Sequence, residues 1–438
     1  MRHTISNAKK KLYIGITIGI LLLILFALSA WRLVEYHNKT LAEAADEAAS
    51  EAYAMGQADA TNAAQLAEEQ TLQEEGFFLL SDCMKASGYE ATNAMKNAYQ
   101  KSLGSITIDI TFNFSEESAT KNEFSFDLAD MLYSLRGQTY IKATALSAIT
   151  NDIYTIENGN ISATRISDTF DYEGHEWTKE KLIAHAGGGF RDSEGGYFSY
   201  YTNSYEAMVQ NYNLGNRIFE FDFALTTDNR LAAVHDWDDF ANMDGQPVSS
   251  LEWEKMYAIA KPETEGTYTS IFLEDILDQM VVNQDMYLIT DVKYENMTAD
   301  EIKNEFTLIY NAALDRDPLL INRIVPQIYS MEMYDWIMEI YNFPSIIFTC
   351  YKTDASAEEI ISFCAGKSNI HVITAKYEDS RFGEDAIEAI HQADLLIYNY
   401  TISTNTKMYD CFSRSIDGIY SNNMLPTDIA TYLDCLAP

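Results

Sequence analysis

The sequence predicts an α/β protein whose C-terminal part folds as a closed (β/α)₈ barrel. Short apolar strands alternate with amphipathic helical segments over about 250 residues, starting near residue 181. This alternation is typical of a parallel sheet covered by helices. Ionisable side chains end several strands, at the place where barrels collect active residues. The alternative is a doubly wound open sheet, although no G-x-G-x-x-G follows the first strand, which disfavours a dinucleotide-binding version.

Residues 1–34 are predicted to form a cytoplasmic tail and a transmembrane anchor. Arg2 and Lys9–Lys11 precede the uncharged stretch Leu12–Trp31, which is about long enough to cross a bilayer as a helix. The positive-inside rule then places the N-terminus in the cytoplasm and the rest of the chain outside the cell. A cleaved signal peptide is the alternative, because Ala27–Ser29 resembles a cleavage site.

Residues 35–76 are predicted to form a helical stalk, because they are rich in alanine and glutamate and contain no proline. A coiled-coil dimer is the alternative, but alanine-rich heptads specify pairing poorly. The sequence leaves the oligomeric state open.

Residues 77–177 are predicted to form a small α+β module of unknown function. A helix is expected over Phe77–Ala98, and strict alternation predicts a half-buried strand over Ser105–Phe114. Four shorter strands are expected at Glu123–Leu128, Thr139–Ala143, Ile153–Ile156 and Ile161–Ile166. The module contains no recognisable catalytic constellation.

Residues 178–438 are predicted to form the barrel. The expected strands are Leu182–His185, Arg217–Phe223, Arg230–His235, Met286–Asp291, Arg323–Tyr329, Ser345–Cys350, Ile370–Thr374, Leu395–Asn399 and Gly418–Ser421, with Arg230–His235 as the short extra one. The expected helices are Ser204–Asn213, Leu273–Val282, Ala299–Leu314, Met331–Tyr341, Ala357–Ala365, Gly383–Ala393 and Ser403–Arg414.

Composition excludes some classes of function. The formal net charge is −36, with 66 acidic residues against 30 basic ones, and no basic stripe is present. Such a chain repels nucleic acid, so we expect no nucleic-acid partner. The five cysteines show no C-x-x-C spacing, which disfavours a zinc site.

Glu220 and Asp222 are the centre of the predicted site. They are two residues apart in a strand-like run, so both side chains point to the same face. Two adjacent carboxylates repel each other unless a proton or cation lies between them. Oxygen ligands of this kind suit Mg²⁺ or Ca²⁺. His185 precedes the pair and His235 follows it, as acid–base chemistry beside a metal requires.

Asp291 and Lys293 end the next barrel strand, in the run LITDVKY. A single His or Asp at a strand end is more often structural, but charged groups at the ends of several separate apolar runs are hard to explain that way. We therefore interpret His185, His235 and the three acids as one catalytic pocket.

Four segments resemble the glycerophosphodiester phosphodiesterase family, which belongs to the superfamily of phosphatidylinositol-specific phospholipase C. They are HAGG (His185–Gly188), the Asn203–Ser204 step, FEFDFALTTD (Phe219–Asp228) and AVHDW (Ala233–Trp237). The resemblance covers about residues 181–438. It implies a TIM barrel that cleaves phosphodiesters with two histidines and one divalent metal ion.

The resemblance also implies roles for individual residues. His185 and His235 match the catalytic pair, and we assign His185 as the base and His235 as the acid. Glu220 and Asp222 match metal ligands, and Asp291 stands where the family has the glutamate of E-x-K. Lys293 then binds phosphate or orients the nearby acid, a structural salt bridge being the alternative. The further substrate-binding candidates are Gly187, Gly188, Asn203, Trp237 and Tyr329.

The sequence departs from the family pattern at four places. Ala186 replaces the arginine that usually follows the first histidine, and Tyr201–Ser204 replaces Pro-Glu-Asn-Thr. Tyr398–Ile402 replaces the late W-T-V/I-N strand, and Ser421–Asn422 replaces the terminal T-D. These changes indicate a divergent branch. The predicted function is an extracellular, metal-dependent phosphodiesterase acting on a glycerophosphodiester, a lipid headgroup or a polyol-phosphate polymer. The alternatives are a catalytically impaired barrel that acts as a surface scaffold, and a lyase of the phospholipase C type.

Overall fold

The computed structural model describes residues 67–157, 159–166, 174–191, 197–199, 201–237, 245–260, 269–292 and 297–433. The chain divides into two compact units, residues 1–169 with 430–438, and residues 170–429. The predicted anchor, most of the predicted stalk and Lys293 lie outside the described residues. Within the described ranges, no helix is both long and apolar enough to span a bilayer.

The first unit contains antiparallel sheets and short helices. Its strands are β1 (Phe77–Leu79), β2 (Glu90–Ala91), β3 (Ala98–Leu103), β4 (Ile106–Asn113), β5 (Ser118–Lys121), β6 (Phe124–Asp127), β7 (Leu132–Leu135), β8 (Gln138–Lys142), β9 (Asp152–Glu157) and β10 (Asn160–Arg165). Strands β2 to β6 form one sheet in chain order, β1, β8 and β7 form a second, and β9 and β10 pair with each other. Two helices are Leu80–Ala86 and Ala143–Thr150, and residues 67–74 are also helical.

The predicted continuous helix over Phe77–Ala98 is wrong. Only Leu80–Ala86 is helical there, and the flanking residues form strands. Gly76 and Gly88 have φ angles of 80° and 78°, a conformation that interrupts a helix and that glycine adopts without strain. The pairing of β1 with β8 then overrides the local helix propensity.

The second unit contains the barrel. Its parallel strands are β11 (Leu182–Ala184), β14 (Ile218–Leu225), β16 (Tyr287–Val292), β17 (Ile324–Ile328), β18 (Ile346–Thr349), β19 (Ile370–Lys376), β20 (Leu396–Tyr400) and β21 (Gly418–Ser421). Strand β11 pairs in parallel with both β14 and β21, which closes the sheet. The short strands β12 (Phe190–Arg191) and β13 (Tyr197–Ser199) pair with each other, and β15 (Leu231–Ala233) lies antiparallel to β14. The predicted closed barrel and its extra strand are therefore confirmed.

Helices connect the barrel strands. They are Tyr205–Asn213, Ser250–Ala260, Leu273–Val282, Ala299–Arg316, Met331–Met338, Ala357–Ala365, Glu384–Gln392 and Asn405–Ser413, and Pro426–Leu433 follows β21. Several begin at a side-chain cap: Thr298 pairs with Glu301, and Ser356 with Glu359, in reciprocal capping boxes. Local sequence thus determines where these helices begin, which explains why the predicted bounds agree closely with the structure.

Each barrel strand contributes one buried apolar residue to a layer deep inside the barrel. The layer comprises Ile183, Ile218, Ile289, Val325, Ile347, Val372, Tyr398 and Tyr420, packed with Trp177. Because side chains alternate along a strand, the residue two positions later faces the same interior. Those residues are His185, Glu220, Asp291, Gln327, Thr349, Thr374, Tyr400 and Asn422. An apolar layer is thus followed by a polar one, at the carboxyl ends of the strands.

Glu305 makes the stability of the barrel unit dependent on pH. It lies on the helix Ala299–Arg316, it is 3% exposed, and its buried Oε2 has no hydrogen-bond partner among the described residues. Burial raises the pKa of this carboxyl from 4.5 to about 8. The unfolded chain therefore loses this proton near pH 4.5 whereas the folded chain keeps it until about pH 8, so the contribution of Glu305 to stability falls as the pH rises through this window.

We expect Glu305→Gln to be more stable than the wild type at pH 9, by an amount on the order of a few kcal/mol, and to differ little at pH 4.5. Urea unfolding of both proteins at the two pH values measures this difference. Glu332→Gln, at an exposed helix position, is the matched control and should show no such pH dependence. An equal effect of Glu305→Gln at both pH values would contradict the prediction.

Candidate active site

A cavity of about 420 Å³ opens at the carboxyl ends of the barrel strands. Its lining residues are His185, Tyr201, Glu220, Asp222, His235, Asp291, Gln327, Tyr329, Thr349, Tyr351, Tyr400, Thr401 and Tyr420. Both predicted histidines and all three predicted acids are among them. The cavity therefore gathers side chains that are far apart in the sequence.

The three acids form a compact cluster, the acidic triad of Glu220, Asp222 and Asp291. Each offers an oxygen, and these oxygens all lie within 4.8 Å of one another. Asp222 and Asp291 are register partners on the adjacent strands β14 and β16. The three side chains are at most 9% exposed. Buried carboxylates at this separation repel one another unless a cation binds between them, and their hard oxygen donors suit a divalent ion.

Two tyrosines and an asparagine orient the aspartates of the triad. Asp222 Oδ2 accepts hydrogen bonds from the Tyr201 hydroxyl and from Asn203 Nδ2, the latter at 2.9 Å. The Asp222 amide donates in return to Asn203 Oδ1 at 3.2 Å. The Tyr329 hydroxyl donates to Asp291 Oδ1. Burial and the neighbouring carboxylates raise the pKa of Tyr201 and of Tyr329 well above 10, so both hydroxyls keep the protons that they donate.

His185 is held by a residue from the last strand of the barrel. Its Nδ1 lies 2.6 Å from Asn422 Oδ1. An amide oxygen can only accept a hydrogen bond, so Nδ1 donates its proton to it, and the neutral imidazole carries its lone pair on Nε2. Nε2 lies 3.9 Å from Glu220 Oε2, beside the acidic triad. In the sequence, Asn422 is notable only as a departure from the family pattern. The structure shows that it contacts His185.

The backbone conformation and packing of the turn after His185 require glycine at positions 187 and 188. Ala186, Gly187 and Gly188 all have positive φ angles of 52°, 80° and 88°. The Ala186 amide donates to Glu220 Oε2 at 2.8 Å. A Cβ on Gly188 would come within 2.5 Å of the buried Asn211 side chain, and one on Gly187 would come within 3.0 Å of Phe221. Close packing therefore requires both glycines, and neither lines the cavity.

His235 lies at the more open side of the cavity. Its side chain is 41% exposed and its Nδ1 contacts Asp236 Oδ2. The Tyr201 ring lies 5.6 Å from the His235 ring and 5.0 Å from the His185 ring, so it contacts both histidines. The two imidazoles thus stand on either side of one tyrosine, next to the triad.

Two further predicted residues, Trp237 and Asn203, do not line the cavity. Trp237 is 7% exposed and packs edge-on against Trp253 at 5.7 Å. Asn203 is buried behind Asp222. Lys293 lies outside the described residues. Five lining residues have no role predicted from the sequence: Gln327, Thr349, Tyr400, Thr401 and Tyr420. Residues two apart on a strand face the same side, so counting two positions on from each inward-facing apolar residue would have identified Gln327, Thr349 and Tyr400.

Comparison with known proteins identifies the family of this chain. The model of the glycerophosphoryl diester phosphodiesterase family matches residues 195–425, which is more than half of the chain. The comparison with curated proteins gave no match.

Several solved structures are similar to this chain. A glycerophosphodiester phosphodiesterase from Parabacteroides distasonis is 17% identical, with 59% of this chain and 98% of that chain covered and a TM-score of 0.47. A putative glycerophosphodiester phosphodiesterase from Galdieria sulphuraria is 12% identical, with 58% and 97% covered and a TM-score of 0.46. An Oleispira antarctica phosphodiesterase, solved with the product sn-glycerol-3-phosphate, is 14% identical, with 58% and 96% covered and a TM-score of 0.43. Given the extent of the family match, the chain belongs to the glycerophosphoryl diester phosphodiesterase family and is a phosphoric diester hydrolase.

Proposed function

We propose that this protein hydrolyses a glycerophosphodiester-type bond, in a lipid headgroup or a related polyol phosphate, with two histidines and one divalent metal ion. The observation that carries the proposal is the acidic triad, whose oxygens lie within 4.8 Å of one another, with His185 Nε2 at 3.9 Å from Glu220 Oε2. Few structural roles require three clustered, largely buried carboxylates next to an imidazole.

The residues present fit a hard divalent cation, Ca²⁺ or Mg²⁺, held by Glu220, Asp222 and Asp291. When bound there, such a cation supplies positive charge that offsets the charge of the phosphodiester. Asn203, Tyr201 and Tyr329 keep two of the carboxylates in place through the hydrogen bonds described above. In the proposed role, Lys293 contacts phosphate or orients Asp291.

The histidines move the protons in the proposed reaction. Asn422 keeps the proton of His185 on Nδ1, so Nε2 accepts the proton of the attacking water as its oxygen bonds to phosphorus. The bond from phosphorus to the leaving oxygen breaks, and His235 donates a proton to that oxygen. Asp236, in contact with His235 Nδ1, orients the imidazole for this step. If a neighbouring substrate hydroxyl attacks instead, the same proton transfers yield a cyclic phosphate.

The experiment is a turnover assay of the full chain. Glycerophosphodiesters, phosphatidylinositol and a teichoic-type polymer are each incubated after chelation and then with Mg²⁺ or Ca²⁺ restored. We expect turnover of at least one glycerophosphodiester only in the presence of metal, and phosphorus NMR distinguishes an open phosphomonoester from a cyclic product. Failure to turn over any diester with either metal would refute the proposal.

For localisation, we propose that residues 12–31 anchor the chain in the cell membrane, that residues 35–76 form a stalk, and that the barrel, which begins near residue 178, lies outside the cell. The supporting feature is the uncharged stretch Leu12–Trp31 with basic residues before it. Protease added to intact cells should release the barrel from the membrane fraction. A barrel that stays protected until the cells are lysed would contradict this orientation.

A further inference from the structure

We infer that tyrosine rings at the cavity select substrates with a quaternary ammonium leaving group, such as a choline ester, over those with a neutral polyol. This inference deepens the proposed function and rests on it. It concerns the alcohol part of the substrate. The acidic triad and the histidines act on the phosphate and its oxygens and do not select one alcohol over another.

A continuous series of aromatic rings surrounds part of the cavity. The Tyr329 and Tyr351 rings lie 5.3 Å apart, Tyr351 and Tyr400 lie 6.0 Å apart, and Tyr400 and Tyr420 lie 6.3 Å apart. Tyr420 in turn lies 6.4 Å from the His185 ring. All these contacts are edge-to-face, so successive rings turn by a large angle. We call Tyr329, Tyr351, Tyr400 and Tyr420 the tyrosine wall.

Three of the four hydroxyls in this wall are engaged or buried. Tyr329 donates to Asp291, and Tyr420 donates to Gln327 Oε1 at 3.0 Å. The Tyr400 hydroxyl is buried and has no hydrogen-bond partner among the described residues, although the residue lines the cavity. At Tyr329, Tyr400 and Tyr420 the wall therefore offers a ligand ring surface rather than an available hydroxyl group.

Ring surface discriminates between two kinds of alcohol. A polyol that enters such a site leaves hydroxyls without hydrogen bonds, which is unfavourable. A trimethylammonium group has no hydrogen-bond donor to satisfy, and the faces of tyrosine rings attract its charge. The wall therefore favours the cationic alcohol, both because it has no hydroxyl to satisfy and because the rings attract its charge.

The charge of the lining residues also favours a cationic leaving group. The lining contains the three acids of the triad and, among the described lining residues, neither lysine nor arginine. Among the described lining residues the charged groups are therefore carboxylates, which attract a cationic leaving group and do not attract a neutral one. Beside the lining, Lys352 Nζ already lies 4.7 Å from the Tyr351 ring, so a headgroup on that ring shares or replaces an existing cation–π contact.

Tyr351 is held in position although it is 43% exposed. Arg381 Nη2 donates to the Cys350 carbonyl at 2.7 Å. Arg381 Nη1 donates to the carbonyls of Thr353 and Ala355 at 2.8 and 2.9 Å. One guanidinium thus binds the chain on both sides of Tyr351. A fixed ring loses little conformational freedom when a ligand binds, which favours selectivity.

The test compares two substrates of equal shape, glycerophosphocholine and the ester of glycerol phosphate with 3,3-dimethylbutanol, in which carbon replaces the charged nitrogen. We expect the wild type to prefer the choline ester by about tenfold in kcat/KM, within the range of cation–π interactions. Tyr351→Leu should bring this ratio close to one, and Tyr351→Phe should retain most of it. Tyr377→Leu is the matched control, since that tyrosine also carries a lysine, Lys407 at 4.8 Å, but does not line the cavity.

The outcomes separate this inference from the proposed function. Turnover of both esters by the wild type at similar kcat/KM would overturn the inference and leave the hydrolase intact. If neither ester is turned over with either metal, the other diesters decide the proposed function, and binding of tetramethylammonium, followed by tyrosine fluorescence, decides the inference by itself. Wild-type binding that Tyr351→Leu abolishes would support it, and absent or equal binding would overturn it.

Discussion

Replacing His185 with alanine is expected to lower kcat for a glycerophosphodiester by about 10²–10⁴-fold, the usual contribution of a positioned general base. The reason is geometric. Asn422 holds the proton on Nδ1, and Nε2 lies beside Glu220 in the acidic triad. Alanine removes the proton acceptor and leaves the triad unchanged. Steady-state kinetics with saturating metal measure the effect.

The matched control for this variant is His391→Ala. His391 lies on the helix Glu384–Gln392, pairs with Asp417 at 2.9 Å and does not line the cavity. We expect this variant to keep nearly the wild-type rate. Thermal unfolding shows whether both variants are folded. A folded His185→Ala protein with a rate within about threefold of the control would remove His185 from the mechanism.

Replacing Asp291 with asparagine is expected to abolish stabilisation by the metal and to lower turnover strongly. For the wild type, metal at 100 times its Kd should add about 2.7 kcal/mol to the free energy of unfolding, because it binds only the folded chain. Asparagine keeps the shape of the side chain, and its Oδ1 can still accept from Tyr329, but it removes one of the three charges. We expect kcat to fall by about 10²–10⁴-fold, since metal catalysis contributes several kcal/mol to such reactions.

The control for Asp291→Asn is Asp285→Asn. Asp285 precedes the same strand, β16, at the opposite end from Asp291, and pairs with Arg217 at 2.6 Å. Calorimetry after chelation, and again after adding Mg²⁺ or Ca²⁺, should show an unchanged rise in Tm for Asp285→Asn and no rise for Asp291→Asn. A full metal-dependent rise in Asp291→Asn would show that the metal binds elsewhere.

The barrel was predictable because its signals are local. Alternation of apolar strands with amphipathic helices depends on residues close in sequence, and the caps at Thr298 and Ser356 mark helix starts directly. The first unit was harder to predict. Its antiparallel strands pair through contacts such as Phe77 with Lys142, and such pairing decides whether a short segment becomes strand or helix.

The sequence by itself determined the closed barrel and brought forward two histidines and three acids as one candidate pocket, because strand periodicity places such residues at the same end of a sheet. Only the tertiary structure decided how they are held. Asn422 reaches His185 across 237 positions of the chain, and Tyr400 meets Tyr351 only where two strand ends converge. Contacts of this kind depend on barrel closure and on register between strands, which no local pattern of residues encodes.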